Sequence, residues 1–481
     1  MGKYYVTIGL EMHCEISETN TKVFSAARNS YTDKPNTNIR PVDMGFPGTL
    51  PVVNKECVRM SIMMSQILNC RQPEYMYFER KNYYYPDMPK NFQITQNPPE
   101  DCVGMGGYLD IIREDGSTFR VDIDNIHLEE DAASMNHLYD TSSIDYNRAG
   151  VPLLELVTGP CIHSADDAVS FLEYVRAIYQ YCEISEADSK KGQVRCDVNI
   201  SISDDENTLG TKVEIKNVNS FSAVRDSINY EIKRQSELKD AGRYDEVEQE
   251  TRRYDEESGT TIRMRSKADA IDYKYFVEPN IPRFKLDPKW LEEIRASIPE
   301  LPYERKAKYM ETYGLSDYDA GILIKDINTA RYFEKLLELG IDAKNAANWI
   351  NGNVLGYTYK YEINIQDLFM TPERLAAILK AMTEGQISSK QAKELFFMVL
   401  EREQEPADIM KAEGMQQISD DSALVAVITE VLDENTNQIE EYKNGKTNMF
   451  DYFVGQTMKK TRGQANPVKV KEILTNELAN R

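Results

Sequence analysis

In "IGLEMHCEI" (residues 8–16) Glu11 and His13 stand two residues apart, flanked by Leu10, Met12 and Cys14 of the other parity. Side chains alternate across a strand, so the stretch reads as a β-strand with one apolar face and one face carrying a carboxylate and an imidazole. "HLEEDA" repeats the arrangement with His127 and Glu129, followed directly by Glu130 and Asp131. Glu155 interrupts the apolar run 151–157, and Asp197 sits inside "RCDVNIS". An acidic side chain buried without a partner is costly, so each of these wants a cation or a hydrogen-bond donor. Several of them, converging from separate strands, suit a hard divalent cation that favours carboxylate oxygens. For any one of them, Glu15 included, the plainer reading is a solvated group on a half-exposed strand. The chain has only His13, His127, His137 and His163, and two of these stand two residues from a glutamate.

A second chemistry is written in "ERKNYYYPDMPKNFQITQ" (79–96), where Arg80, Lys81 and Lys90 are interleaved with Tyr83, Tyr84 and Tyr85, and Pro86 and Pro89 restrict the backbone. Cations next to rings suit a phosphate and a stacked base, although the tyrosines of such a loop also serve to cover a core. Arg148 in "YNRAGVP", and Arg252, Arg253, Arg263 and Arg265 in "RRYDEESGTTIRMRSK", offer planar donors for carboxylate or phosphate. The acids of the latter segment could equally pair with them as a charged hairpin. No GxxxxGK[ST] loop occurs, since "NGKT" at 444–447 lacks the upstream glycine, and no GxSxG elbow occurs.

These residues need elements to hold them. "TFRVDIDNIHLEE" (118–130), 194–203 and 211–218 read as strands. Ser164 with Asp167 three residues on is a capping-box-like start for a helix, and 221–239 spaces Val224, Ile228 and Ile232 helically before Gly242. Strands and helices without regular alternation predict an α+β fold with antiparallel pairing. Beyond about residue 290 helix signals dominate, with starts at Thr371-Pro372, at Ser388 or Ser389, and at Asn466-Pro467. The polar stretch 401–414 reads as a crossing to a last helical module. Domains are expected at 1–292, 293–405 and 406–481.

The chain of 481 residues has a net charge of −22, which opposes non-specific nucleic-acid binding over its whole surface. One local exception runs from 459 to 471, where Lys459, Lys460, Arg462, Lys469 and Lys471 occur without an acid. Seven scattered cysteines without a CxxC pair fit reduced thiols. No run approaches 18 apolar residues and no signal-like segment precedes the first strand, so a cytoplasmic protein with no membrane association is expected.

In order, "GLEMHCEI", "ERKNYYYPDMPK", "IHLEEDA", "DYNRAGVPLLE", "RCDVNIS", "TKVEIKNVNSF", "QETRRYDEESG", "YKYFVEPNIP" and "VGQTMKKTRGQANP" closely resemble the GatB family, the B subunits of tRNA-dependent amidotransferases. The resemblance covers essentially the whole chain. It implies an ATP-dependent carbon–nitrogen ligase with glutamine as amido donor, working in a heterotrimer with an amidase subunit, GatA, and a small subunit, GatC. ATP activates the side-chain carboxylate of mischarged Glu-tRNA(Gln) or Asp-tRNA(Asn), and ammonia from the amidase displaces phosphate. Phosphoryl transfer of this kind needs Mg²⁺ and positive side chains.

Carried over by position, the resemblance makes Glu11, His13, Glu130 and Glu155 catalytic and metal-binding, with Glu129 adjacent. Strand parity, by contrast, puts Glu129 and not Glu130 on the face of His127, and the choice between them stays open. Lys81, Tyr85, Arg148 and Asp197 are assigned to a nucleotide or aminoacyl pocket, and Lys459, Lys460 and Arg462 to a YqeY-like tRNA-binding tail. Where many members carry two cysteine pairs for zinc, this chain has Ser25, Ala27, Arg40 and Asp43, so no zinc is expected. "TGPCI" (158–162) replaces a more acidic segment after Glu155. Two rivals remain: an inactive tRNA-binding scaffold of the same complex, and a stand-alone carboxylate–amine ligase.

Overall fold

The computed structural model describes residues 3–98, 102–113, 115–266, 272–415, 421–443, 446–447, 449–461, 465 and 467–480. The chain forms two compact units, 1–302 and 303–481. Strands of the first unit are β1 (Tyr5–Glu15), β2 (Tyr75–Met76), β3 (Glu79–Asn82), β4 (Phe92–Thr95), β5 (Gly104–Ile112), β6 (Thr118–Glu130), β7 (Ser134–His137) and β8 (Ser142–Asp145). They continue with β9 (Pro152–Thr158), β10 (Val194–Ser203), β11 (Val213–Val218), β12 (Glu250–Asp255), β13 (Thr260–Ser266), β14 (Phe276–Val277) and β15 (Phe284–Lys285). Its helices include α1 (Lys55–Ile67), α2 (Ala165–Tyr181) and α3 (Phe221–Asp240).

An eight-stranded sheet in the order β13-β12-β11-β10-β1-β9-β6-β5 is the frame of this unit. β1 lies inside it, antiparallel to both β10 and β9. Alternation does what the sequence pattern required: Ile8, Leu10, Met12, Cys14 and Ile16 are fully buried. The helices α2 and α3 pack on each other, and Tyr179 of α2 lies beside Cys14, so this is the face the helices cover. The Ser164 side chain accepts from Asp167 N to start α2, and Ser220 caps α3 in the same manner. The sheet is α+β as expected, with one departure from antiparallel pairing. β11 and β12 run parallel because α3 carries the chain back across the sheet between them.

Smaller sheets lie beside the large one, among them β14-β3-β4. The loop leading into β4 is held close by Gly45, where φ is +65° and a Cβ would fall 2.5 Å from Pro89 O. Ser25, Arg40 and Asp43 knit the preceding segment together, with Ser25 Oγ and Arg40 N donating to Asp43 Oδ2 at 2.9 and 2.7 Å. Lys22, fully buried, donates to Ala149 O at 2.6 Å.

The second unit is helical. One apolar core gathers Phe333, Leu336, Trp349, Leu379 and Phe396, and another gathers Leu424, Leu432, Phe453 and Leu474. Thr371 and Ser388 cap their helices, Ser388 through a full capping box with Gln391. The stretch read as a polar crossing contains a helix, Pro406–Ala412, because Pro406 suits its first turn and Ile409 and Met410 are buried in the first of these cores. Among the described residues, no helix is long and apolar enough to cross a membrane.

Candidate active site

Register, more than proximity in sequence, builds the site. On β1, His13 is opposite Arg195 of β10 and Glu155 of β9, and Glu155 is in turn opposite His127 of β6. Directly paired residues of antiparallel strands point to the same face, so Arg195, His13, Glu155 and His127 form one row across four adjacent strands. The Glu155 Oε2 atom lies 3.2 Å from His13 Nε2 and 3.1 Å from His127 Nε2. Glu129, two residues along β6, is 4.0 Å from His13 Nε2 and accepts from Thr95 Oγ1 at 3.1 Å. His127 Nδ1 meets Asn125 Oδ1 at 2.8 Å, so both ring nitrogens face acceptors. His13 Nδ1 is buried and has no hydrogen-bond partner among the described residues.

Burial alone would raise the Glu155 carboxyl, but the two imidazoles overcome it and hold the group well below the usual carboxylate range. Burial likewise opposes protonation of His13 and His127, yet the charge and hydrogen bond of Glu155 leave both imidazoles raised. The pH consequence has a definite sign. Raised imidazoles stabilise the fold below their unfolded pKa of about 6.5, and that contribution is lost as pH rises through the folded values. A depressed carboxyl stabilises above its unfolded pKa of about 4.3, and that contribution is lost as pH falls through the folded value. The cluster therefore contributes most between roughly pH 4.5 and 6.5. With divalent metal chelated, Glu155→Gln is expected to speed amide exchange in β1 and β9 more at pH 6 than at pH 9, after correction for intrinsic rates. Equal acceleration at both pH values would contradict this charge arrangement.

A second acidic group lies on the same face. Glu11 is opposite Asp197 of β10, and its carboxylate, that of Asp197 and that of Glu214 on β11 bring oxygens within 4.8 Å of one another. Among the described residues, the other group with that closeness is His13, Glu129 and Glu155. Burial raises the Glu11 carboxyl, with the charge of Glu155 adding to it, so the two groups act on each other. Lys216 bonds Asp197 Oδ2 at 2.7 Å and pairs with Glu214 at 2.9 Å. It reaches Asp197 from an irregular step in the ladder: Cys196 and Val198 face Val218 and Ile215, which gives β11 an extra residue there. Bulges of this kind re-aim side chains beside sites. Buried acceptors already satisfied by protein need no ligand, but here Asn199 Oδ1 is buried without a partner among the described residues, although its Nδ2 donates to Glu11 at 3.0 Å. An oxygen-rich donor set with an orphaned imidazole nitrogen fits a hard divalent cation.

Of the expected ligands, Glu11, His13, Glu129 and Glu155 face this surface, while Glu130 does not join them. Its carboxylate is held by Lys90 and by Ile94 N at 2.8 Å, and it is 2% exposed. Strand parity holds to the end of β6, so neighbouring glutamates part company. Among the pocket residues, Lys81 on β3 stands near the acids, since Glu129 and Glu155 outweigh its burial and raise its ammonium. Arg148 is engaged with Asp131, which Arg195 also approaches at 3.5 Å. Tyr85 lies beyond the end of β3 and is 52% exposed, while burial and the charges of Asp87, Glu129 and Glu130 raise the hydroxyl of Tyr83. Glu15 is half-buried, not solvated: burial and Asp131 push its carboxyl up to about 7 against Arg148 and Arg195. In the second unit Lys459 is exposed, Lys460 pairs with Glu430 and Glu434, and Arg462 lies outside the described residues.

Sequence reasoning missed Glu214, Lys216 and Arg195. The first two alternate with Val213 and Ile215 in "TKVEIKNV", the same parity signal that singled out Glu11 and His13. Arg195 carried no signal beyond standing two residues before Asp197.

Residues 6–292 match the model of a family described as the GatB/GatE catalytic domain, and residues 331–478 match one described as the GatB domain. The chain is 43% identical over 479 residues to the B subunit of the aspartyl/glutamyl-tRNA(Asn/Gln) amidotransferase of Lysinibacillus sphaericus, spanning 99% of this chain and 100% of that protein. The protein of the same name from Bacillus mycoides is 43% identical over 476 residues, covering 98% and 99% of the two chains. That of Bacillus anthracis is 42% identical over the same length and coverage.

Proposed function

Because the chain belongs to the GatB family, the B subunits of tRNA-dependent amidotransferase complexes, we propose that the acidic face of its sheet is where a tRNA-linked carboxylate is phosphorylated and then amidated. The observation that carries this reading is the row Arg195–His13–Glu155–His127, with Glu129, Glu11, Asp197 and Glu214 beside it and Lys81 facing it. ATP is the phosphoryl donor, and the substrates are mischarged Glu-tRNA(Gln), Asp-tRNA(Asn) or both.

A side-chain carboxylate is a poor electrophile because loss of oxide is prohibitive. In the first step a carboxylate oxygen attacks the γ-phosphorus of ATP and the bond to ADP breaks, giving an acyl phosphate. In the second, ammonia attacks the acyl carbon, inorganic phosphate leaves, and a proton is lost to form the amide. Mg²⁺, held by His13, Glu129 and Glu155 or by Glu11, Asp197 and Glu214, would supply charge neutralisation for the phosphate oxygens. The chain's own cations serve the same end: Lys81 and Arg195 place positive charge at the edge of the acidic face, where an incoming triphosphate would otherwise be repelled. Glu155 keeps both imidazoles in fixed orientation, so the face needs little reorganisation when substrate arrives.

On this reading residues 1–292 are catalytic, 293–405 a helical domain, and 406–481 a YqeY-like tail that grips the tRNA through Lys459 and its neighbours. GatA and GatC complete a cytoplasmic heterotrimer, GatA releasing the ammonia. An inactive scaffold would have no use for two acidic groups on one sheet face, and the relatives' names as subunits do not favour a free-standing ligase.

The test is phosphate release from ATP and Mg²⁺ by the assembled complex, with and without mischarged tRNA. Release that requires the tRNA, and that Glu11→Ala lowers about a hundredfold, is the expected outcome. Release indifferent to tRNA, or a fully active Glu11→Ala complex, would overturn the assignment.

A further inference from the structure

Beside Lys81 lies an aromatic group with no role so far. Asn82 N donates to Tyr273 O at 3.0 Å, Asn82 Nδ2 donates to Lys274 O at 2.7 Å, and Phe276 pairs with Arg80, so the segment 273–277 is fastened along β3. Lys274, between the two tyrosines, has φ 49°, a left-handed conformation unfavourable for a residue with a Cβ. Strain of that kind is kept where the surrounding structure over-determines it, and it collects at ligand sites. The rings of Tyr83 and Tyr273 meet edge to face at 6.1 Å, and those of Tyr273 and Tyr275 at 6.2 Å. The Lys81 ammonium stands 5.0 Å from the centre of the Tyr273 ring. It has no hydrogen bond or ion pair with any other described residue. Tyr275 closes the series and is 39% exposed.

We propose that Tyr273 and Tyr275, with Tyr83, seat an adenosine group whose anionic end lies toward Lys81. The inference rests on the reading that this face phosphorylates a tRNA-linked carboxylate with ATP. A buried packing cluster would not leave its last ring 39% exposed, nor leave an ammonium among the rings without an acceptor. A purine offers a π-face to a tyrosine ring, and the phosphate or ester joined to its ribose brings an acceptor within reach of the ammonium. Two substrates of the reaction carry adenosine: ATP, and the terminal nucleotide to which the amino acid of an aminoacyl-tRNA is esterified. In either case the base would rest on the rings while the reacting end lies over the acidic face.

The experiment uses the assembled complex and compares wild type with Tyr273→Ala, Tyr275→Ala, Tyr273→Phe and Tyr275→Phe. KM values for ATP and for mischarged tRNA are measured separately, with phosphate release as readout. Loss of a stacking ring is expected to raise one KM about tenfold or more, with the larger part of the effect in KM and not in kcat. The Phe variants, which keep the ring, are expected to recover it. A rise in KM for ATP assigns the seat to the nucleotide, and a rise for tRNA assigns it to the terminal adenosine. If neither KM moves, or if only kcat falls and Phe restores it, the rings are structural and the proposal is wrong. A wild-type complex that releases no phosphate would sink the underlying reading instead. Equilibrium dialysis of labelled ADP against the same variants would then decide the adenosine seat, undiminished binding to the Ala variants counting against it.

Discussion

Replacing Glu155 by alanine is expected to lower tRNA-dependent phosphate release and amidation by about a thousandfold, while tRNA affinity changes less than about twofold. Among the described residues, Glu155 is the one that pairs with both imidazoles, at 3.2 Å from His13 and 3.1 Å from His127. Its loss leaves two buried rings facing each other across β9 with no anion between them, so His13 loses the contact that orients it and both imidazoles are less raised, while Asn125 still meets His127 and Glu129 still acts on both rings. Glu129 then stands 4.0 Å from a ring that is no longer fixed. The proposed tRNA contacts around Lys459 belong to the other unit, which is why binding and chemistry should separate. Single-turnover amidation measures the first quantity and a filter-binding titration at fixed salt measures the second. A variant within tenfold of wild type in amidation would show that this carboxylate is structural.

Adjacent glutamates give the second large effect, and they should fail in different ways. Glu129→Ala is expected to lower phosphate release a hundredfold or more with little change in melting temperature, since among the described residues the carboxylate's close contacts are a threonine hydroxyl and an imidazole 4.0 Å away. Glu130→Ala should instead unfold the protein more easily. It strands the Lys90 ammonium, whose side chain is 12% exposed, and leaves Ile94 N without its acceptor. Removing one member of such a buried pair costs about 3 kcal/mol or more, a fall in Tm of roughly 6–12 °C. The part of the Glu130→Ala protein that stays folded should retain activity within about tenfold of wild type. Calorimetry beside the phosphate assay makes the comparison, and the reverse pattern would return the catalytic role to Glu130.

The strands that carry the site were legible because alternation is local. "IGLEMHCEI" and "HLEEDA" each announce two faces within a few residues, and neither reading depended on a distant contact. The helix starts at Ser164, Thr371 and Ser388 were legible for the same reason, since a cap is an interaction of one residue with the next turn. The parallel pairing of β11 with β12 was not, because it depends on where a 20-residue helix deposits the chain. Glu214 and Lys216 had the parity but no histidine beside them to draw attention. The bulge that turns Lys216 onto Asp197 exists only against a partner strand. Likewise the helix Pro406–Ala412 looks polar in sequence, and Ile409 and Met410 show their worth only once a core is there to receive them.

By itself, then, the sequence determined which faces would be apolar and which side chains would share the other, together with the family to which the ordered motifs belong. Both are properties of short segments, and side-chain direction along a strand follows from backbone geometry alone. What only the tertiary structure decided is which of those side chains meet. Register brought Arg195, His13, Glu155 and His127 into one row from positions as far apart as 13 and 195, and it divided the acids into the groups of Glu155 and of Glu11. It also parted Glu129 from Glu130, leaving Glu129 beside His13 and Glu130 on Lys90 and Ile94 N, since a strand held in a sheet cannot turn two consecutive side chains to the same face. Strand pairing is long-range, and its outcome is fixed by the whole buried face and not by any one segment.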